Sequence, residues 1–167
     1  KTVHPDVSLF FALSGERHDG HRFVPELIVQ GVRNFVVSEF PESFGSLQAN
    51  FILVDSAMEA LQKLAAYHRR RFHLPVVGIT GSNGKTIIKE WLFQLLRADK
   101  NIVRSPKSFN SQVGVPLSLW LMNEEHQLAL IEAGISRPDE MEKLESMIKP
   151  SIGIFTNIGT AHRSEEH

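Results

Sequence analysis

Residues 76–91 read VVGITGSNGKTIIKEW, and the fold turns on them. Val76, Val77, Gly78 and Ile79 make a continuous apolar run, as expected of a parallel strand buried on both faces. Gly81, Ser82, Asn83 and Gly84 follow, then Lys85 and Thr86, and residues 84–97 alternate apolar and polar at helical period. Strand, glycine-rich turn and helix in that order make a phosphate-binding loop. The glycines let the backbone approach phosphate oxygens, and N–H groups at the helix start point at the anion. The lysine adds charge near the β/γ phosphates, and the hydroxyl next to it suits Mg2+. The strict pattern G-x-x-x-x-G-K-[ST] would place glycine at 79, where this chain has Ile79, so G-x-x-G-K-T remains. An ordinary Gly/Asn turn with an incidental Lys-Thr is the plainer alternative, and the flanking strand and helix favour the nucleotide loop.

Outward from the loop the rhythm of strand then helix repeats. NIVRS (101–105) suits a short strand and VPLSLWLM (115–122) a helix with proline near its start. LALIEAGI (128–135) reads as a strand, PDEMEKLESMI (138–148) as a helix and SIGIFTNI (151–158) as another strand. Such alternation implies right-handed crossovers and a mostly parallel sheet. Before the loop, VSLFFAL (7–13), NFVVSE (34–39) and FILVDS (51–56) read as strands. VPELIVQGV (24–32) has helical spacing, and a connecting helix is expected from Met58 to about Arg71. The fold class is therefore α/β: a small N-terminal α/β domain over 1–74, followed by a truncated, mostly parallel central domain of P-loop type over 75–167. The last strand is followed directly by GTAHRSEEH, which suggests part of a longer enzyme, because a doubly wound sheet usually continues beyond four strands.

Composition excludes several function classes. With 18 basic and 19 acidic residues the net charge is −1, which offers no general field for nucleic acid or an anionic membrane. The densest basic cluster, His68-Arg69-Arg70-Arg71, is expected to be a solvated helix end, where cations suit the macrodipole. There is no cysteine, hence no disulfide or thiolate metal site, which fits a reducing compartment. No apolar run approaches the roughly 18 residues needed to span a bilayer. A cytoplasmic protein without membrane insertion is the expectation, and the oligomeric state is left open.

In an open α/β sheet, ligands gather at the carboxyl ends of the strands. Glu132, in LIEAG, lies at one such end, and His162, in TNIGTAH, just past another. A carboxylate and an imidazole near bound phosphates suit a divalent cation. Singly, each is as readily a solvated strand-end charge or an ordinary loop histidine; together with the loop they point to a metal-nucleotide site.

With these pieces placed, the chain resembles the Mur ligases of bacterial cell-wall synthesis. The likeness rests on LFFALSGERHDGHRF (9–23), GITGSNGKTIIKEW (78–91), SFNSQVGVPLSL (108–119), IEAGISRPDEM (131–141) and TNIGTAH (156–162). It implies an ATP-dependent amide ligase that adds D-alanyl-D-alanine to UDP-N-acetylmuramoyl-tripeptide, with ATP and Mg2+ as cofactors. It also looks like the branch fused to an alanine racemase. By resemblance, 1–74 is the UDP-substrate-binding domain lacking its start, and 75–167 is the first part of the ATP-binding domain. Gly81, Ser82, Asn83 and Gly84 would cradle phosphates, Lys85 would contact the β/γ region and Thr86 would hold Mg2+. Glu132 and His162 match further metal-binding positions and, with Lys85, are the candidate catalytic residues. Asn110, Ser111 and Gln112 match a loop facing the muramoyl peptide, and Ser14 to His21, with Asp19, Gly20 and His21, a segment near the uridine nucleotide. The resemblance implies a peptide carboxylate attacking the γ-phosphate, then an amine displacing phosphate from the acyl phosphate. It also places the residues for adenine and for the second metal beyond His167, so ligation by these residues alone is not expected.

Other readings are another Mur or folate polyglutamate ligase, a P-loop phosphotransferase or GTPase, and a non-catalytic nucleotide-binding module. DGHRF and NSQVGVP argue against the first. No guanine-reading Asn-Lys-x-Asp occurs to favour a GTPase.

Overall fold

The computed structural model describes residues 4–15, 18–134 and 140–158. The chain divides into two compact units, Lys1–Leu61 and Gln62–His167.

In the first unit, strands β1 (Leu9–Phe11), β2 (Asn34–Val37) and β3 (Asn50–Leu53) form a parallel sheet in the order β1-β2-β3. Helix α1 (Val24–Val29) crosses from β1 to β2, with Pro25 in its first turn, where the missing N–H costs nothing. It ends before Gly31, whose φ of 100° stops the helix. Phe35 is fully buried at the centre of the core with Ala12, Val24, Val32, Val37 and Phe44, and it stacks on Phe51 at 5.5 Å. The strand expected over 7–13 is shorter, because Pro5–Val7 form a single 3-10 turn and the chain leaves the ladder after Ala12, whose N–H still bonds Val36 O at 2.9 Å.

Helix α2 (Ala57–Arg70) runs from the first unit into the second. Its later half belongs to the second unit's core: Ala65 is buried there and Gln62 hydrogen-bonds Gln112. Compactness therefore divides the chain within α2, ahead of the change of rhythm at 74/75.

The second unit contains β4 (Val76–Thr80), α3 (Lys85–Leu96), β5 (Ile102–Arg104), α4 (Gly114–Leu119), β6 (Leu128–Glu132), α5 (Glu140–Ile148) and β7 (Ile152–Phe155). The strands lie in the order β5-β6-β4-β7, and all of these ladders are parallel. Alternation along the strands divides the core. Val76, Val103, Ala129 and Ile131 face Leu119, Leu144 and Ile148. Val77, Ile79, Leu128 and Leu130 face Ile88, Leu92, Phe93 and Leu96 of α3. The sheet thus has helices on both faces, and central β6 is buried throughout, as the unbroken apolar run LALI requires.

The basic cluster at the end of α2 is not simply a solvated helix end, because Arg69 is buried. Its guanidinium donates to the carbonyls of Ile148 (2.9 Å), Lys149 (3.3 Å) and Phe72 (2.7 Å). The last carbonyls of a helix lack intrahelical partners, and this side chain supplies them for α5. Burial holds the Arg69 pKa below its ordinary value, in the direction that desolvation of a cation dictates.

Candidate nucleotide site at the strand ends

Register brings the ends of three strands level. Ile79 of β4 lies opposite Glu132 of β6, and Thr80 opposite Phe155 of β7. The turn 81–84, the carboxylate of Glu132 and residues 156–157 therefore converge at the carboxyl end of the sheet, where ligands bind in such folds.

Gly81 has φ 128° and Gly84 φ 83°, conformations that side-chain-bearing residues rarely adopt. At Gly81 a Cβ would also lie 2.1 Å from Thr156 Oγ1, so no other residue fits there. Gly84 precedes α3, and Ile88 N–H bonds its carbonyl at 3.0 Å. The turn is held from β7's end. Ser82 N–H donates to Asn157 O at 3.1 Å, Asn83 N–H to Asn157 Oδ1 at 3.0 Å, and Thr156 hydroxyl to Asn83 O at 2.6 Å. Lys85, in the first turn of α3, folds its ammonium back onto the Gly81 carbonyl at 2.6 Å. Its ammonium thus lies over the loop, where an anion held by the turn would meet it.

Thr86 hydroxyl donates to Glu132 Oε2 at 3.0 Å, so two residues 46 positions apart meet at the loop. Glu132 is fully buried, and its Oε1 is 2.9 Å from the ammonium of Lys89, itself fully buried on α3. That approach is a close ion pair without the alignment of a hydrogen bond, and Oε1 has no hydrogen-bond partner. Ser105 Oγ accepts the Glu132 N–H at 3.0 Å. A hydroxyl and a carboxylate together offer hard oxygen donors, the set that Mg2+ prefers. Among the described residues no group of three or more His, Asp or Glu side chains could hold a metal ion.

The remaining predicted residues divide. His162 lies outside the described residues. Asn110 accepts the Gly134 N–H at 2.7 Å, which ties the 108–112 loop to the end of β6 beyond Glu132. Ser111 Oγ accepts the Gly114 N–H at the start of α4, and Gln112 Oε1 accepts from Gln62 at 2.9 Å. The side chains of Ser111 and Gln112 are thus engaged within the protein.

Asp19, Gly20 and His21 form a separate cluster in the first unit. His21 is buried, its Nε2 accepting the Ser38 and Glu39 N–H groups at 3.1 and 3.3 Å. The ring proton is therefore on Nδ1, which donates to Asp19 Oδ1 at 2.7 Å. That bond holds the Asp19 carboxyl below its ordinary pKa. A Cβ on Gly20 would lie 2.8 Å from Leu13 N, so the chain can pass Leu13 only as glycine. Both ring nitrogens being used, His21 serves here as a tie between the strand ends, and Asp19 keeps the exposed edge.

Lys89, Ser105, Thr156 and Asn157 were not among the residues predicted for the site. A signal existed for Lys89: it follows Lys85 by one helical turn on a helix whose neighbours pack the core, which for a cation demands a buried partner.

Comparison with known proteins accords with this geometry. Residues 79–167 match the Mur ligase middle domain, and residues 5–69 match the family description "Mur ligase family, catalytic domain". The chain belongs to the Mur ligase family. Within the Mur ligases its relatives include the UDP-N-acetylmuramoyl-tripeptide–D-alanyl-D-alanine ligases of Synechocystis and Bacillus subtilis. The first is 37% identical over 92% of this chain and 34% of its own length; the second is 34% identical over 94% and 34%. Of solved structures, MurF from Acinetobacter baumannii superposes with TM-score 0.89 at 31% identity, over 96% of this chain and 35% of that one. MurF from Thermotoga maritima in complex with ADP superposes with TM-score 0.82 at 31% identity, over 93% and 35%. The chain spans about a third of the length of the curated relatives it matches.

Proposed function

We propose that this chain is the nucleotide-binding part of a MurF-type ligase, which joins D-alanyl-D-alanine to UDP-N-acetylmuramoyl-tripeptide at the expense of ATP. The observation that carries the reading is the meeting of Thr86 hydroxyl and Glu132 carboxylate at 3.0 Å beside the glycine turn. A plain turn between strand and helix has no need of a buried carboxylate at its hydroxyl. The names of the relatives, and the ADP in the Thermotoga maritima MurF structure, support the same choice of nucleotide and reaction.

In this reading the N–H groups of the 81–84 turn and of the first turn of α3 bind phosphate oxygens. Lys85 leaves the Gly81 carbonyl for the β/γ phosphates, exchanging a neutral acceptor for an anionic one. Thr86 and Glu132 would hold Mg2+, with His162 as a further ligand; the ion, when bound, neutralises phosphate charge. The tripeptide carboxylate attacks the γ-phosphorus and releases ADP, giving an acyl phosphate. The amine of D-alanyl-D-alanine then attacks the acyl carbon, losing a proton as phosphate departs. The protein contributes alignment and charge more than a nucleophile of its own.

The domain assignment follows: residues 1–74 belong to the part that binds the UDP substrate and 75–167 to the ATP-binding part. Asp19, exposed at the edge of the His21 tie, is the member of its cluster placed to meet substrate, and the loop 110–112 is assigned to the muramoyl peptide. A cytoplasmic location fits the absence, among the described residues, of any helix long and apolar enough to cross a membrane. Fusion to an alanine racemase rests on the sequence likeness alone.

The test is calorimetric titration of the chain with a Mg·ATP analogue, beside Lys85→Ala and Thr86→Ala. Binding that weakens in both variants supports the reading. Binding unaffected by either substitution, or a longer chain that binds ATP and forms no amide from both substrates, refutes it.

A further inference from the structure

Lys89 is among the largest fully buried side chains of the molecule, and no step of the proposed reaction uses it. A buried ammonium is costly unless fully partnered. Its partners come from three places: Glu132 Oε1 at the end of β6 (2.9 Å), the Ser105 and Lys107 carbonyls just past β5, and Glu90 Oε1 (3.2 Å) on its own helix. Ser105 in turn accepts the Glu132 N–H through its hydroxyl. Lys107, whose carbonyl receives the same ammonium, has φ 48°, a left-handed conformation uncommon outside glycine.

The two oxygens of Glu132 are thereby given different surroundings. Oε1 faces Lys89, while Oε2 faces Thr86 and the phosphate loop. The carboxylate cannot turn without losing one contact or the other. An apolar pair of similar volume would fill the same space at less electrostatic cost. Lys89 lies one helical turn beyond Thr86 on α3, and Glu132 meets both.

Resting on the nucleotide-site reading above, we infer that Lys89 is a positioning residue of that site. It fixes Glu132 with Oε2 turned to Thr86, where a divalent cation accompanying the nucleotide needs an oxygen donor, and it ties that carboxylate to the 105–107 turn. Lys89 touches neither nucleotide nor cation; it acts through Glu132, as partners behind a ligand commonly do.

The experiment uses the full-length protein, with Mn2+ binding followed by electron paramagnetic resonance in the presence of ADP, and ADP affinity measured separately in chelator. In Lys89→Met, Mn2+ affinity is expected to fall by about 10- to 100-fold, while ADP affinity without cation stays within about twofold. Lys89→Arg keeps the charge but not the point contact, and is expected to weaken Mn2+ in the same sense; it carries the comparison if the methionine variant does not fold. Equal losses of Mn2+ and cation-free ADP would mean a merely structural role, and unchanged Mn2+ affinity no role. Tighter Mn2+ binding would mean that Lys89 only competes with the cation. Each of these overturns the inference. Failure of the underlying reading shows elsewhere: wild-type protein would bind ADP no better with Mn2+ than without it, or Thr86→Ala would match wild type.

Discussion

Asn157 grips the glycine turn 81–84 with both of its oxygens. Its main-chain carbonyl accepts the Ser82 N–H at 3.1 Å and its side-chain Oδ1 accepts the Asn83 N–H at 3.0 Å. These N–H groups belong to the turn proposed to cradle phosphate, so the end of β7 occupies donors that an anion would use. A nucleotide taking the Asn83 N–H has to displace a neutral amide oxygen, for which a charged phosphate oxygen is a stronger competitor.

Asn157→Ala removes that competitor and is expected to tighten ADP binding about three- to tenfold, the worth of one neutral hydrogen bond. Asn157→Asp is expected to act the other way, since a carboxylate holds the N–H more firmly and repels phosphate. Isothermal titration of both variants checks the pair of signs; weakening by alanine would show that Asn157 supports the loop and does not compete for it.

Glu132 and Lys89 form the second testable pair. Both side chains are fully buried, so deleting Lys89 leaves the Glu132 carboxylate without a cation in a medium of low polarity, whereas deleting Glu132 leaves Lys89 with Glu90 and two carbonyls. Lys89→Met alone is expected to cost about 3–5 kcal/mol of unfolding free energy, Glu132→Leu less, and the double variant less than the sum. Urea unfolding of the four proteins gives the coupling energy, and additive losses would contradict a direct pair.

How much of this was legible beforehand follows from what each residue's signal depends on. The strand of Val76 to Thr80, the glycine turn and the helix after it are local patterns, and the structure places each within a residue or so of its expected bounds. Glu132 was legible because an acidic residue ending an unbroken apolar run stands out. Its pairing with Lys89 was not: the helical position of Lys89 implied a buried partner, but laying β6 beside β4 is non-local and only that names Glu132. The role of Arg69 was misread for a related reason. Helical periodicity puts a cation at a helix end, but only the return of α5 decides whether that end meets solvent or the carbonyls of another helix. Likewise DGHRF advertised polar chemistry, whereas the ring of His21 turned inward to strand-end N–H groups.

The Asp19–His21 tie predicts an acid dependence confined to the first unit. Bonding to His21 lowers the folded-state pKa of Asp19, so its contribution is present above the unfolded value, about 4 for aspartate. It is lost as pH falls through the lower folded value. Wild-type protein is therefore expected to lose hydrogen-exchange protection at the His21 amide, which donates to Asp19 Oδ1 at 3.0 Å, between about pH 5 and pH 2, as the carboxylate protonates. Asp19→Asn should begin with less protection at neutral pH and change less over that range. Parallel pH profiles for the two proteins would show that the carboxylate does not sustain the tie.

Arg69 supplies the last prediction. Its three carbonyl partners include Ile148 and Lys149, which close α5, and Phe72, just past α2. Arg69→Met keeps the apolar stem and removes every donor, leaving carbonyls partly shielded from water. Hydrogen bonds to a charged group contribute about 1.5–3 kcal/mol each, and water recovers part of that at the partly exposed positions, so a net loss of about 2–4 kcal/mol is expected. Arg69→Lys should recover less than half of it, because one ammonium cannot reproduce the guanidinium's fixed fork toward separate carbonyls. Denaturant midpoints of the two variants, with exchange rates of amides near residue 148, locate the loss. A destabilisation below about 0.5 kcal/mol, the size of an ordinary surface substitution, would return Arg69 to the solvated helix end that its sequence suggested.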